Sequence, residues 1–385
     1  MATDKLTRRQ TLLAKVETTI GTDAVPTAGS NAVMILDGAA PAPGGERVGN
    51  ARLMDTLSPQ PHSIGMLVNG FTVPTEFRGG GATGDAVAEP DYAPLLKAAG
   101  FVESAINYLA IGTVSEGPYT RGETVEGGTS SATGVLIAQL SGGLLVSGVS
   151  GTFQSGEVIE GGTSGATAST SAGPVSGHQY TPTSDPDEQD AISVYYNYGG
   201  HLHQTVGARC DFSLSLPVGQ PGKWDWTIRG RYVDPTDQSL PTVTLEDHLP
   251  PNCVNMGLVI GSYSPSGVNA ITINAGNDLR QDKDVNQTDG LYTYFIADRT
   301  PGGSIDPKAD NLSSFDPFAA WKAGTAALIS GVVGSTAGNR IFFQIPQAQY
   351  LDPAYSNRDG RVTHQLSFEC KQDEVGDDEL KFCFF

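Results

Sequence analysis

Cys210-Asp-Phe-Ser-Leu-Ser-Leu216 and Trp224-Asp-Trp-Thr-Ile-Arg229 are the stretches that decide the fold. In the first, Cys210, Phe212, Leu214 and Leu216 alternate with Asp211, Ser213 and Ser215; in the second, Trp224, Trp226 and Ile228 alternate with Asp225, Thr227 and Arg229. A period of two places all apolar side chains on one face of an extended chain, the mark of a half-buried strand. The same alternation recurs outward from there. Ile271-Thr-Ile273 is a short instance, Val362, His364, Leu366, Phe368 and Cys370 a longer one, and Leu380, Phe382 and Phe384 follow near the end. Tyr292 to Ile296 and Ile341 to Ile345 are continuous apolar runs, which suits strands covered on both faces.

Two short helices interrupt the strands. Asp91-Tyr-Ala-Pro-Leu-Leu-Lys-Ala-Ala-Gly100 offers Asp91 as cap, Pro94 in the first turn and Gly100 as terminator. A second helix is capped by Asp316, starts at Pro317, carries Phe318, Trp321 and Lys322 on one side and ends at Gly324. The predicted class is therefore mainly β with two short helices. Composition agrees: 17% charged residues, 38% hydrophobic residues and 48 glycines among 385 describe a chain with many turns and a sufficient core. Gly38 to Pro61, with Pro41, Pro43, Pro59 and Pro61, has little periodicity and resists assignment; a structureless stretch of this length is usually functional or a linker.

Net charge is −19. Such a chain has no excess of Lys and Arg to displace the counterions of nucleic acid and should repel it. The basic cluster Lys5, Arg8, Arg9 and Lys15 reads as a solvated N-terminal segment. Cys210, Cys253, Cys370 and Cys383 lack metal or redox spacing, and Cys210 and Cys370 fall on apolar faces. No stretch resembles a signal peptide or a membrane span, so synthesis and folding in a cytoplasm are expected.

A repeat stands out in the middle. Gly122-Glu-Thr-Val-Glu-Gly-Gly-Thr-Ser-Ser-Ala-Thr-Gly134 recurs 34 residues later as Gly156-Glu-Val-Ile-Glu-Gly-Gly-Thr-Ser-Gly-Ala-Thr-Ala168, each copy preceded by an aromatic, Tyr119 or Phe153. Each copy reads as strand, Gly-Gly turn, strand. The predicted organisation is one discontinuous domain, 1–109 and 179–385, interrupted by a small β module at 110–178. The polar loop Thr181 to Asp190 follows it.

Sites for chemistry are scarce. His201-Leu-His203 puts two imidazoles on one strand face, but no third ligand is marked by spacing, and a polar strand face explains it. Asp185, Asp187, Glu188 and Asp190 do not fit an EF-hand, because Asp190 stands where Gly is needed and Tyr196 where Glu is needed. Asp373, Glu374, Asp377, Asp378 and Glu379 read as an acidic turn rather than a glycosidase pair. Gly79-Gly-Gly81 lacks the Lys-Ser/Thr of a phosphate loop, and Ser155 lies in the repeat rather than on a nucleophile elbow. No catalytic, cofactor-binding or metal-ligating residue is assigned, and the expectation is a non-enzyme needing no cofactor.

Several segments, taken in order, resemble the major tail tube proteins of long-tailed, siphovirus-type bacteriophages. They are Thr11-Leu-Leu-Ala-Lys-Val-Glu-Thr-Thr-Ile-Gly-Thr-Asp-Ala-Val-Pro-Thr27 with Asn31-Ala-Val-Met-Ile35, Pro94-Leu-Leu-Lys-Ala-Ala-Gly-Phe101, and Tyr180-Thr-Pro182. Tyr195 to Arg209, Gly230 to Asp237, Pro353 to Gly360 and Asp377 to Leu380 continue the match. The resemblance spans 8–109 and 179–385 and leaves the repeats without a role. It implies a β-sandwich subunit whose hexameric rings stack into a hollow tube, lined by a β-barrel drawn from all six subunits. It also implies a virion tail location, self-association, a tape measure protein in the lumen, tail terminator and distal tail proteins at the ends, and passage of DNA without specific binding. The rival reading from the Gly-Thr-rich repeats is a carbohydrate-binding adhesin or tail fibre; a hydrolase would need a site that the motifs do not supply.

Overall fold

The computed structural model describes residues 6–385; Lys5, one of the four basic residues of the N-terminal cluster, lies outside them. The chain is mainly β, with two short helices among the described residues. Its spine is the long strand His201–Pro217, which pairs antiparallel with Lys223–Tyr232 and so sets Phe212 opposite Trp226 and Leu214 opposite Trp224. Gly207, at φ +60°, makes a bulge where the register shifts between Val206 and Arg209.

The spine divides the sheet. Toward its start it pairs with Ile192–Tyr198, which pairs in turn with Gln10–Val16. Toward its end it pairs with Ala270–Asn274, and the ladder runs on through Gly302–Ile305, Arg361–Lys371, Ile341–Tyr350 and Lys381–Phe384 to Val175–Pro182 and Phe101–Ala110. On the other flank, Lys223–Tyr232 pairs with Ser63–Glu76. This continuous ladder curls back on itself, and its two layers meet in an aromatic core. Trp224 and Phe382 ring centroids are 5.2 Å apart and Phe212 and Trp224 4.7 Å, both edge-on. Trp224, Trp226, Phe77, Tyr92, Phe101, Phe382 and Phe384 are all buried. Each such side chain contributes about 1.5–3 kcal/mol or more by leaving water, which is why the alternating faces of separate strands converge here.

The helix Ala93–Ala98 lies within this core, with Ala93, Leu95, Leu96 and Ala98 buried. Asp91 does not cap it; Tyr92 is the N-cap residue and no side chain caps the end. The Asp91 carboxylate is instead drawn to the Arg78 guanidinium at 2.7 Å and accepts from the Met34 backbone N–H at 2.8 Å, because Arg78 is 1% exposed and a buried cation demands a counter-charge more strongly than a helix end does. The helix Pro317–Ala323 follows its prediction: Asp316 accepts from the Ala319 N–H at 2.9 Å and Gly324 closes it in the left-handed region.

Ile341–Tyr350 is buried on both faces, as its continuous apolar run suggests. The run Tyr292 to Ile296 is not. Its strand, Leu291–Arg299, forms a two-stranded ribbon with Asn277–Lys283 and leaves Tyr292 43% and Phe295 42% exposed, because no further layer packs over that ribbon.

The repeats gather round a core of their own: Leu109, Ile111, Tyr119, Val125, Leu136, Leu144, Phe153, Ile159 and neighbours. The strands that lead out and back, Phe101–Ala110 and Val175–Pro182, pair along their length, so Pro182 returns to lie opposite Phe101. Tyr180-Thr-Pro182 therefore resumes the sheet beside the point where it was left. Ile106, Tyr108, Ile137 and Leu145 pack with Phe342, Cys383 and Phe385, which seats the repeats on the rest of the chain.

Candidate assembly surface

Residues 38–61 are only partly a loop. Gly44–Val48 pairs antiparallel with the start of Ser63–Glu76, from Gly44 opposite Val68 to Val48 opposite Ser63. The proline content hid a projecting hairpin arm whose pairing partner lies beyond the segment itself. Residues 49–62 form its tip, where Leu53 and Leu57 are fully exposed, at 100% and 105%, and Met54 is 55% exposed. Val48 and Ile64 extend the apolar surface down the arm. Exposed aliphatic side chains gathered on one element make this arm a candidate contact surface.

The N-terminal segment is anchored by Glu17, which is 7% exposed. Its carboxylate accepts from the Gly21 N–H at 2.6 Å, the Ser193 hydroxyl at 2.7 Å and the Gly207 N–H at 2.8 Å. One side chain thus pins the turn after the first strand to the spine's bulge. No motif marks Glu17 in the sequence, because two of its three partners are 176 and 190 residues away.

The acidic run near the C-terminus is a latch. Arg299 donates to Glu379 Oε1 at 2.8 Å, to Asp377 Oδ1 at 2.8 Å and to the Thr183 carbonyl at 3.0 Å, while Ser184 donates its backbone N–H to Asp377. Asp378 accepts from the Asp373 and Glu374 backbone N–H groups and closes the turn. The polar loop at 181–190 and the run at 373–379 therefore meet, which their sequence separation conceals. In the former, Thr183 donates to Glu188 and the Asp187 N–H to Asp185, an arrangement internal to the loop.

His201 and His203 share a strand face as alternation requires. His201 sits 3.2 Å from Asp237, and burial together with His201 pulls the His203 pKa below the ordinary value. Among the described residues no third ligand completes a cluster with this pair. All four cysteines are buried free thiols; burial pushes Cys253 up to about 11 and Cys370 up to about 12, with the nearby Glu379 adding to the latter. Neither is a nucleophile at neutral pH.

The repeats exchange carboxylates. Glu123 of the first copy accepts from the Thr163 N–H at 2.9 Å, the Ser164 N–H at 2.8 Å and the Ser164 hydroxyl at 2.7 Å in the second. Glu157 of the second accepts from the Thr129 N–H at 3.3 Å, the Ser130 N–H at 3.0 Å and the Ser130 hydroxyl at 2.8 Å in the first. The strands Thr124–Gly127 and Val158–Gly161 pair so that Glu126 faces its own counterpart, Glu160. This is the geometry of a local two-fold axis. Burial alone would raise both buried carboxyls, but these hydrogen bonds outweigh it and hold Glu123 and Glu157 below the usual glutamate range. A cavity of about 720 Å³ lies where the repeats meet the rest of the chain, lined by Tyr108, Arg340, Gln344 and Phe385 among others. The Arg340 guanidinium lies over the Tyr108 ring at 4.1 Å.

Among the described residues no helix is long and apolar enough to cross a membrane. Comparison with known families matches residues 7–370 to the phage tail tube proteins, while a search of curated proteins finds no match. That match runs through the projecting arm and the Glu17 anchor and includes Arg299 but not its acidic partners Asp377 and Glu379; covering nearly the whole chain, it shows that the chain belongs to the phage tail tube protein family and is a structural component of the virion tail.

Proposed function

We propose that the chain assembles into hexameric rings that stack into a hollow tube, non-enzymatic and cofactor-free, which holds the tape measure protein and then conducts DNA. The observation that carries this reading is the projecting arm, whose tip exposes Leu53, Met54 and Leu57 to no partner within its own chain. A neighbouring subunit or ring is the occupant that fits, since self-association of one chain into a closed ring requires a surface offered outward on each copy. The charge agrees with a conduit: each ring of six would carry six times the single-chain charge of −19, so DNA would slide rather than adhere. Tail terminator and distal tail proteins at the tube ends, and synthesis in the host cytoplasm, complete this reading.

We further infer that residues 1–109 and 179–385 are the tube-forming unit and that 110–178 is an inserted module facing outward. Its separate core and the pairing of its two root strands support this division, and an inward placement would obstruct the bore. Negative-stain microscopy of the purified chain tests the assembly. Stacked rings from the intact chain, and folded monomers without tubes after excision of 49–62, are expected. Normal tubes from the excised variant would overturn the role given to the arm, and only dispersed intact chains at high concentration would overturn the tube. A cryo-EM map of the tube with a bore lined mainly by Lys and Arg would overturn the acidic lumen.

A further inference from the structure

His178, Glu103 and Glu89 belong to none of the arrangements above. They meet at the root of the repeats. Tyr180 stands opposite Glu103 and His178 opposite Ala105 in the ladder between the two root strands, so the side chains of Glu103, His178 and Tyr180 emerge on one face. Glu89 arrives from the turn before the helix Ala93–Ala98. One ligand atom from each of Glu89, Glu103 and His178 lies within 4.8 Å of the other two.

The hydrogen bonding points to a cation. His178 Nε2 is 2.9 Å from the Val87 carbonyl oxygen, which can only accept, so Nε2 carries the ring proton. Nδ1 of the same ring is 2.8 Å from Glu103 Oε1. In the neutral ring this sets a bare lone pair against a carboxylate, and something positive must lie between them: a proton or a metal ion. A ring N–H held by a backbone carbonyl, with the other nitrogen aimed at carboxylate, is the way metal-binding histidines are oriented.

Tyr180 adds a second observation. Its side chain is fully buried and its hydroxyl has no hydrogen-bond partner. Burial, and after it the charges of Glu89 and Glu103, push that phenol above its ordinary range. A buried hydroxyl left without a hydrogen-bond partner is costly, and a water bound to an ion on those carboxylates would offer it one.

We propose that His178 Nδ1, Glu103 and Glu89 bind a divalent transition-metal ion of the zinc class, with water in the remaining position. Lys97 Nζ is 3.0 Å from Glu89 Oε1, so one Glu89 oxygen keeps its ion pair while the other serves the ion. The ion ties the turn before the helix to both root strands and so fixes the repeats on the rest of the chain.

The test uses the full chain, stripped of metal, titrated at neutral pH with zinc chloride by calorimetry and with cobalt chloride by visible absorption. One ion per chain, cobalt bands of a four- or five-coordinate site and a raised melting temperature are expected. His178→Gln and Glu89→Gln should each weaken binding by at least about tenfold. Glu89 is exposed, so its variant keeps the fold, checked by circular dichroism, and decides the matter if the other misfolds. Absence of saturable uptake, or uptake unaltered in the folded variants, would overturn the proposal and leave a proton between ring and carboxylate.

Discussion

Replacing Glu157 by glutamine would leave the shape of the repeat pair nearly unchanged while removing the charge around which its loop is built. The carboxylate is 4% exposed and accepts from the backbone N–H groups of Thr129, Ser130 and Gln154 and from the Ser130 hydroxyl. An amide has one oxygen, so at least one of these donors would face an NH2 group, donor against donor. A buried donor left unmet costs about 1–3 kcal/mol, and each surviving bond loses the charge that made it worth about 1.5–3 kcal/mol. Summed over one unmet donor and the surviving bonds weakened by loss of the charge, the local opening free energy of the repeats should fall by about 3–5 kcal/mol. Amide hydrogen exchange reads it directly. Protection at Thr129, Ser130 and Gln154 should drop by about a hundredfold or more, while amides of the spine strand His201–Pro217 hold theirs. Glu123→Gln should do the same at Thr163 and Ser164, the partners it holds in the other copy. Both carboxyls lie below the usual glutamate value when folded, so their stabilisation is complete above the unfolded value and is lost as pH falls through the folded one; acid should open the repeats first. Unchanged protection at Ser130 in a folded Glu157→Gln chain would refute the reciprocal latch.

Three further outcomes follow from single features. His364 is fully buried against Tyr355 with no partner on either ring nitrogen, and burial lowers its pKa, partly countered by Asp316. The unfolded chain thus takes up a proton that the folded one resists, stability should decline as pH falls below about 6.5, and His364→Phe should flatten that slope in melts between pH 7 and 5; an equal slope in the variant would exclude His364 as its source. Arg299→Met leaves the buried Glu379 carboxylate unpaired and should cost about 3–5 kcal/mol in denaturant titration, a loss under 1 kcal/mol being incompatible with the latch. Leu53→Asp with Leu57→Asp removes about 3–6 kcal/mol per contact if both leucines are buried in assembly, so tube formation should need well over about a hundredfold more protein with the monomer melt unchanged; tubes at ordinary concentration would contradict the proposed contact.

Much of this molecule is written locally. The alternation in 210–216 and 224–229 needs only neighbours one and two residues away, and the Asp316–Gly324 helix carries its own start and stop signals within nine residues, so both are legible and both appear as read. The repeats declare themselves by self-similarity, and the order of short motifs pointed to the family. What could not be read is whatever depends on a distant partner. Asp91 looks like a cap until Arg78 is brought beside it in the interior. The run Tyr292 to Ile296 looks doubly covered until no layer forms above it. The arm at 44–48 has no strand signal of its own and takes its form from 63–68. The carboxylates that organise the fold, Glu17, Glu123, Glu157 and Glu379, are single letters that each take a donor from 27 to 190 residues away. Periodicity is a property of neighbouring residues and survives in the one-dimensional record; burial of a charge is a property of whatever surrounds it, and only the folded sheet fixes that.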